Sequence, residues 1–294
     1  MRRARASSPG DAAPARPGLG DAAQAYPALG DVTPRAAGLL DAAPARTARV
    51  MRRLRAAWRL LRVLLHVLHG AAIALLRFYR LERPARLELV RWWAAKMLRV
   101  AGVGLQGSGT PHSGGALLVI NHLSWLDIVA VHALCPEARF VSKADVKAWP
   151  LVARLVDAGG TLYLERERKR DARRVVHAVA ASLTAGQTVA IFPEGTTSTG
   201  HGLLPFHANL LQAAIATATP VQPIALRYSD STHAVSEAVE FVGRTTMLQS
   251  LWGTACGDGV VVRLAFLPPR DAAGADRREL AAQLRADIAT ALGP

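Results

Sequence analysis

The sequence has little cysteine, few aromatic residues and no long uncharged apolar stretch. Its two cysteines, Cys135 and Cys256, form no metal-ligand spacing, so neither a disulfide framework nor a metal site is predicted, and a reducing cytosolic setting fits. Aromatic residues make up 5% of the 294 residues. Although 51% of the residues are hydrophobic, no run reaches the roughly 18 uncharged apolar residues that are typical of a transmembrane helix.

Acidic residues are scarce in one part of the chain only. The formal net charge is +14, and residues 1–100 hold 19 of the 36 Lys and Arg but 6 of the 22 Asp and Glu. A nucleic-acid-binding protein is not favoured, because the body of the chain carries no basic strand interleaved with aromatic residues. A basic, Leu-rich N-terminal region favours an anionic membrane surface as the partner, with no nucleic acid.

The N-terminal hundred residues divide into two predicted segments. Residues 10–49 repeat with a period of ten, beginning "GDAAPARPGL", and contain few large apolar residues, so residues 1–50 are predicted to be disordered. Residues 51–100 are predicted to form a helical membrane-associating segment, in which "LRAAWRLLRVLLHVLHGAAIALLRFYR" (54–80) is an amphipathic to apolar helix.

The apolar part of that helix is short for a bilayer. The 14 residues between Arg62 and Arg77 span about 21 Å, against a hydrocarbon core of about 30 Å. We therefore expect a helix that lies in the membrane interface, with Trp58, Trp92 and Trp93 near the depth of the headgroups. A single short span and a helix packed on the folded domain remain alternatives.

From about residue 115, short β-rich runs alternate with helical stretches. The runs "ALLVIN", "RFVSK", "TLYLER", "TVAIFPEG", "VQPIALRY" and "VVVRLAFL" are separated by helical candidates at 124–134, 147–158, 168–185 and 207–217. This alternation predicts an α/β catalytic domain over 101–294, with a mostly parallel sheet flanked by helices. Ligands in such folds bind beyond the carboxyl ends of the strands, where "NHLSWLD" and "FPEGTTS" lie.

Three strand ends carry residues suited to chemistry. Asp127 can fold back onto His122, which fixes the imidazole tautomer and leaves the second ring nitrogen as a general base. No GxSxG nucleophile motif accompanies the pair, which suits deprotonation of a substrate hydroxyl. The turn at Glu194 and Gly195 can cradle an anion with its backbone amides. Arg166, at the end of "GGTLYLER", can grip a phosphate or carboxylate.

Together, these pieces resemble the glycerolipid acyltransferase family, that of the 1-acyl-sn-glycerol-3-phosphate acyltransferases. Four motifs appear in order: "NHLSWLD", "GGTLYLER", the intact "FPEGT" and "VQPIALRY" around Pro223. "SKADVKAWPLVARLVDAGG", which includes Lys143, is similar to the linker between the first two motifs. The resemblance covers roughly residues 85–270.

The resemblance implies acyl transfer without a cofactor or metal, with acyl-CoA or acyl carrier protein as co-substrate and a membrane lipid as acceptor. His122 would deprotonate the acceptor hydroxyl, and Asp127 would orient His122. The expected location is the cytoplasmic face of the inner cell membrane, as a peripheral or single-pass protein. The substrate-binding residues that it implies are Asn121, Lys143, Arg166, Glu194, Gly195 and Thr196.

One position departs from the family pattern. Phosphate-acceptor members usually continue the third motif with arginine, whereas Thr197 follows here. The sequence "FPEGTTS" is more similar to the subgroup that acylates lyso-ornithine lipid. Lysophosphatidic acid and lyso-ornithine lipid therefore both remain candidate acceptors. A non-catalytic lipid-binding protein and a hydrolase are the alternatives from other classes.

Overall fold

The computed structural model describes residues 37–143, 150–164 and 169–293. Residues 47–294 form one compact unit, so the predicted helical segment 51–100 and the predicted catalytic domain share it. The helices are α1 (Ala37–Leu76), α2 (Arg83–Ala101), α3 (Leu126–Leu134), α4 (Pro150–Ala158), α5 (Lys169–Thr184), α6 (Leu211–Ala216), α7 (Met247–Cys256) and α8 (Arg277–Leu292). The strands are β1 (Gly104–Ser108), β2 (Leu117–Ile120), β3 (Arg139–Lys143), β4 (Leu162–Leu164), β5 (Val189–Ile191), β6 (Val221–Ser229) and β7 (Val261–Phe266).

The described strands form one sheet in the order β1-β7-β6-β2-β5-β3-β4. Neighbouring strands are parallel except for β6 and β7, which are antiparallel. The predicted α/β fold with a mostly parallel sheet is therefore confirmed, and the predicted strand runs all contain strands. The edge strand β1, with the sequence "GLQGS", was not predicted.

Apolar side chains of the strands alternate between two cores, one on each face of the sheet. Leu118 and Ile120 of β2 face the core beneath α2 and α3, whereas Leu117 and Val119 face the core beneath α5, α6 and α8. All four side chains are fully buried. Because both faces of the central strands are covered, their polar contacts with a substrate are made at the strand ends.

Helix α1 differs from the prediction at its start. It begins at Ala37, so residues 37–50, which were predicted to be disordered, are helical. Alanine, the strongest helix former, recurs through this part of the repeat. Residues 1–36, which include the first part of the repeat, lie outside the described residues.

One face of α1 packs against the domain. Ala56, Val63, His66, Ala71 and Ala74 are buried along it. They lie three, five or seven positions apart, which places them on one side of a helix. The reading of a helix packed on the domain is therefore correct for this face.

The two helices α1 and α2 meet at His66 and Trp93. The His66 ring stacks on the Trp93 ring at 5.2 Å, and its Nε2 lies 3.0 Å from the Trp93 carbonyl oxygen. At Gly70, a Cβ atom would lie 2.2 Å from Trp93 Nε1, so this approach requires glycine. Trp93 thus packs between helices instead of facing outward as expected.

The opposite face of α1 is apolar and exposed. Trp58 is 59% exposed, as expected of a residue at headgroup depth, and Leu65 is 55% exposed. Residues 46–76 are long and apolar enough to cross a membrane by length and composition. A helix with one buried face and one exposed apolar face is suited to lie against a membrane.

Candidate active site

Two adjacent parallel strands deliver the first and third motifs to one edge of the sheet. Val119 of β2 pairs with Ile191 of β5, and the chain leaves β2 at Asn121–His122 and β5 at Phe192–Glu194. Strand β6 lies on the other side of β2. The two motifs therefore meet at the carboxyl edge, as predicted.

Asp127 is fully buried and accepts four hydrogen bonds. Its Oδ2 accepts from His122 Nδ1 at 2.8 Å and from the amides of Leu123 and Ser124 at 2.7 and 3.0 Å. Its Oδ1 accepts from the Tyr228 hydroxyl at 2.9 Å. A buried carboxylate is stable only when it is bonded in this way. The predicted His–Asp contact is present in the structure.

The imidazole of His122 is fixed from two directions. Because the Asp127 carboxylate can only accept, Nδ1 carries the proton and Nε2 keeps its lone pair. The ring stacks on Phe192 with centroids 3.8 Å apart and an angle of 10° between planes. The side chain is 18% exposed, which lets a substrate reach Nε2. The arrangement is that of a positioned general base.

Asn121 and Glu194 hold the loop that carries His122 through hydrogen bonds with the main chain. Asn121 Nδ2 donates to the Leu226 carbonyl and its Oδ1 accepts from the Leu226 amide, both at 2.8 Å. Glu194 accepts from the amides of His122 at 2.9 Å and Leu204 at 3.1 Å. The structure therefore places both buried side chains in internal contacts, where sequence reasoning expected contacts with substrate.

Burial has a measurable consequence for Glu194. It raises the pKa of the Glu194 carboxyl above its ordinary value, although the two amide donors partly oppose this effect. Glu194, which links the first and third motifs, thus lies in a site of low dielectric constant. Each hydrogen bond that it accepts from a backbone amide is strong there.

Gly195 and Thr196 are exposed at the tip of the third motif. Gly195 has a positive φ of 69°, which favours glycine. Its amide donates to the Phe192 carbonyl at 3.1 Å and so closes the turn. The Gly195 N–H is thus engaged inside the turn, and the binding of an anion by this turn stays a prediction.

Thr197, which stands where the family pattern has arginine, contacts another loop. The hydroxyl of Thr197 donates to the Phe241 carbonyl oxygen. Thr197 thus ties the third motif to the segment before α7 and supplies no cation to the cleft.

Of the two cationic residues expected to bind substrate, Lys143 lies within the described residues and Arg166 does not. Lys143 ends β3, which lies beside β5 in the sheet. Arg166 lies outside the described residues, so its expected contact with substrate stays a prediction. Within the described ranges, no group of three His, Cys, Asp or Glu side chains could hold a metal ion.

Sequence reasoning missed Tyr228 and Phe192 as parts of the site. Tyr228 is fully buried, and burial, followed by the charge of Asp127, raises its pKa well above the ordinary value, so the hydroxyl stays a donor. The alternation of Ile224, Leu226 and Tyr228 along β6 was a usable signal, because it places a hydroxyl on an otherwise apolar face. Phe192 gave no comparable signal.

Comparisons with known proteins agree with this geometry. The acyltransferase family model matches residues 103–227. A lyso-ornithine lipid O-acyltransferase of Pseudomonas aeruginosa is 36% identical over 209 residues, which cover 71% of this chain and 80% of the relative. A 1-acyl-sn-glycerol-3-phosphate acyltransferase of Neisseria meningitidis is 37% identical over 186 residues, covering 62% of this chain and 71% of the relative.

A solved structure shows the same fold. The 1-acyl-sn-glycerophosphate acyltransferase of Thermotoga maritima superposes with a TM-score of 0.66 at 20% identity, over 83% of this chain and 95% of that one. The fold and the matched family model define an acyltransferase. The chain belongs to the acyltransferase family that includes lyso-ornithine lipid O-acyltransferases and 1-acyl-sn-glycerol-3-phosphate acyltransferases. Its substrates are an acyl donor and a lipid acceptor.

Proposed function

We propose that the protein transfers a fatty acyl group from acyl-CoA or acyl carrier protein to the free hydroxyl of a lysolipid, with 1-acyl-sn-glycerol-3-phosphate as acceptor and phosphatidic acid as product. The observation that carries the proposal is the hydrogen bond of 2.8 Å between His122 Nδ1 and the buried Asp127 carboxylate. It leaves Nε2 of the imidazole as the base, and the sequence contains no GxSxG nucleophile motif.

The steps follow from that geometry. His122 Nε2 takes the proton of the acceptor hydroxyl, and the alkoxide oxygen attacks the thioester carbonyl carbon. The carbon–sulfur bond then breaks, and the leaving thiolate takes the proton back from the imidazolium. Asp127 stabilises the imidazolium, and holding hydroxyl and thioester together supplies much of the rate. No acyl-enzyme forms.

Lys143 and Arg166 are the proposed ligands for the anionic groups of the substrates. Both follow or end a strand that leads to the carboxyl edge, where ligands of such sheets bind. We assign Asn121 and Glu194 the role of holding the loop, because their polar atoms are engaged. Gly195 and Thr196 form the exposed wall of the cleft.

A second acceptor, lyso-ornithine lipid, is favoured by Thr197. An arginine there would add a charge-assisted hydrogen bond to a phosphate, of about 1.5–3 kcal/mol. The Thr197 hydroxyl instead binds the Phe241 carbonyl, which suits an acceptor without a phosphomonoester. The proposed location is the cytoplasmic face of the membrane, because acyl-CoA and acyl carrier protein are cytosolic donors.

An acceptor panel tests the proposal. Purified protein and His122→Ala are given each donor with lysophosphatidic acid and lyso-ornithine lipid in parallel. We expect acylated lipid from the parent and a loss of about 10²–10⁴-fold in the variant. If the variant matches the parent, or only free fatty acid appears, the mechanism is wrong.

Thr197→Arg separates the two acceptors. We expect it to raise kcat/KM for lysophosphatidic acid by about tenfold relative to lyso-ornithine lipid. Thr196→Arg is the matched control, since it adds the same charge one position away on the exposed tip of the loop. Equal gains in both variants would mean that charge alone, and not the position, selects the acceptor.

A further inference from the structure

Helix α7 carries an exposed apolar pair. Leu248 is 79% exposed and Trp252 is 42% exposed. They are four residues apart and therefore share a face of the helix. The opposite face, with Ser250, Thr254 and Ala255, is buried. Nothing among the described residues covers the Leu248 side chain.

Helix α7 and the segment before it contact both loops of the active site. Trp125, three residues after His122, donates its indole N–H to the Ser250 hydroxyl at 3.2 Å. The Phe241 carbonyl, in the segment leading into α7, accepts from Thr197 of the third motif. Leu248 and Trp252 therefore stand on the helix that borders the cleft.

The far end of α7 is held by the membrane-associating helix. Arg59 of α1 donates to the carbonyl oxygens of Ala255 at 3.0 Å and Gly257 at 2.6 Å, at the C-terminus of α7. Arg55 forms an ion pair of 2.9 Å with Asp258, just beyond it. A guanidinium at a helix C-terminus is favourable because the terminal carbonyls carry partial negative charge.

The same end of α7 adjoins a basic cavity of about 600 Å³. Arg49, Arg52 and Arg55 of α1 line one side of it, at a spacing of three residues that places them on one helix face. Two acids, Asp230 and Asp258, also line the cavity, and Asp258 is paired with Arg55, so the three arginines outnumber the acids. Such a cluster is complementary to the phosphates of an anionic lipid surface.

From these contacts we propose that α7 is a second membrane-contacting element, which lays Leu248 and Trp252 into the boundary between lipid headgroups and acyl chains beside the cleft. The occupant is a bilayer surface that contains anionic lipid. Three features support it: the exposed apolar pair, its direct connection to the apolar outer helix α1, and the arginines at the junction. Tryptophan is typical of this depth in a membrane.

The inference has a consequence for the acceptor. A lysolipid would move from the bilayer along α7 to His122 without leaving the interface for water. This part rests on the proposed function, whereas the docking of α7 does not.

A fluorescent probe at position 248 tests the docking directly. Leu248→Cys is made in a Cys256→Ser background and labelled with an environment-sensitive dye. Cys135 is 1% exposed, and burial raises the pKa of its thiol, so it does not compete for the dye. On vesicles of phosphatidylethanolamine and phosphatidylglycerol, we expect a blue shift and quenching by spin-labelled lipid.

The matched control is Ala282→Cys on the exposed side of α8, labelled in the same way. Its dye is expected to stay in water. If the probe at 248 behaves like that at 282 while the protein binds the vesicles, α7 does not enter the membrane. Failure of the whole protein to bind these vesicles would overturn the inference as well. Insertion of the probe without any acyl transfer would overturn the proposed function alone.

A second variant tests the route of the acceptor. We expect Leu248→Ser to lower kcat/KM about tenfold for an acceptor embedded in vesicles. The same variant should leave kcat/KM unchanged for a short-chain lysolipid dissolved as a monomer. Ala282→Ser is the control for both substrates. An equal loss on both substrates would show a catalytic or folding defect, which contradicts delivery along α7.

Discussion

The carboxyl edge of the sheet and the outer face of α1 differ in which side chains they bury. At the edge, Asp127 and Asn121 are buried although they are polar. Along α1, Leu61 and Leu65 are 46% and 55% exposed although they are apolar. Each arrangement costs free energy unless something compensates for it.

The compensation differs between the two regions. Asp127 and Asn121 have their hydrogen-bond partners inside the chain, on β6 and on the loop of the first motif. The leucines of α1 find no such cover within the described residues. The polar groups at the edge are therefore satisfied within the chain, whereas the outer face of α1 is left uncovered by the described residues and is suited to contact a membrane.

The largest expected effect comes from Asp127→Asn. One amide oxygen cannot replace two carboxylate oxygens that accept four hydrogen bonds, and the amide group would face donors. We expect kcat to fall about 10²–10⁴-fold and the free energy of unfolding to fall by about 1–3 kcal/mol. Asp271→Asn, an exposed acid, is the control in kinetics and denaturant unfolding. Retained activity would mean that the buried network is dispensable.

The next effect concerns His132, a buried polar residue of α3. Burial lowers the pKa of His132 to about 4. In the unfolded chain the imidazole of His132 is therefore protonated below about pH 6.5, whereas in the folded chain it is protonated only below about pH 4. The free energy of unfolding should fall by about 3 kcal/mol as the pH drops through this window, and stability should be regained as the pH rises.

His132→Gln should flatten that dependence, because glutamine does not titrate. His177→Gln, at an exposed position of α5, should leave it unchanged. Urea unfolding at a series of pH values measures both. A slope that persists in His132→Gln would assign the dependence to other groups.

A smaller effect is expected on the outer face of α1. Leu61→Ser with Leu65→Ser should weaken vesicle binding about tenfold while changing the free energy of unfolding by less than about 0.5 kcal/mol. Val63→Ala, on the buried face, should do the reverse and cost about 1–3 kcal/mol of stability. Vesicle sedimentation and urea unfolding separate the two. Equal effects of the two variants on vesicle binding and on stability would mean that the two faces of α1 do not differ in what they contact.

The smallest effect is expected from Tyr228→Phe. It removes one of the four hydrogen bonds to Asp127, so kcat should fall about fivefold with little change in KM. Urea unfolding, measured beside the kinetics, separates a loss of catalysis from a loss of packing. Tyr79→Phe, at an exposed tyrosine, is the control. A fall in stability with an unchanged kcat would indicate a packing role only.

The sequence predicted the sheet well and the support of the site poorly. Short β-rich runs and the motifs at their ends were enough to place His122 against Asp127. The edge strand β1 was missed because its five residues include two glycines and are mostly exposed. The start of α1 was missed because the repeat carries no apolar stripe, although its alanines favour a helix.

The roles of Asn121 and Glu194 depend on contacts across the sheet. Asn121 binds Leu226, 105 positions away, and Glu194 binds His122, 72 positions away. Motif resemblance identified both residues but not the direction of their side chains. Only the register of β2 against β6 shows that the Asn121 side chain contacts the main chain of β6 instead of the substrate.

Asn121 has one more consequence, for the choice of residue at its position. Its amide imitates a peptide group, so it adds a rung between β2 and β6 after the main chain has turned away to present His122. Aspartate lacks the donor, and glutamine reaches one methylene too far. If position 121 were randomised in a library and selected for folding, we expect asparagine to dominate the survivors, even before any selection for acyl transfer.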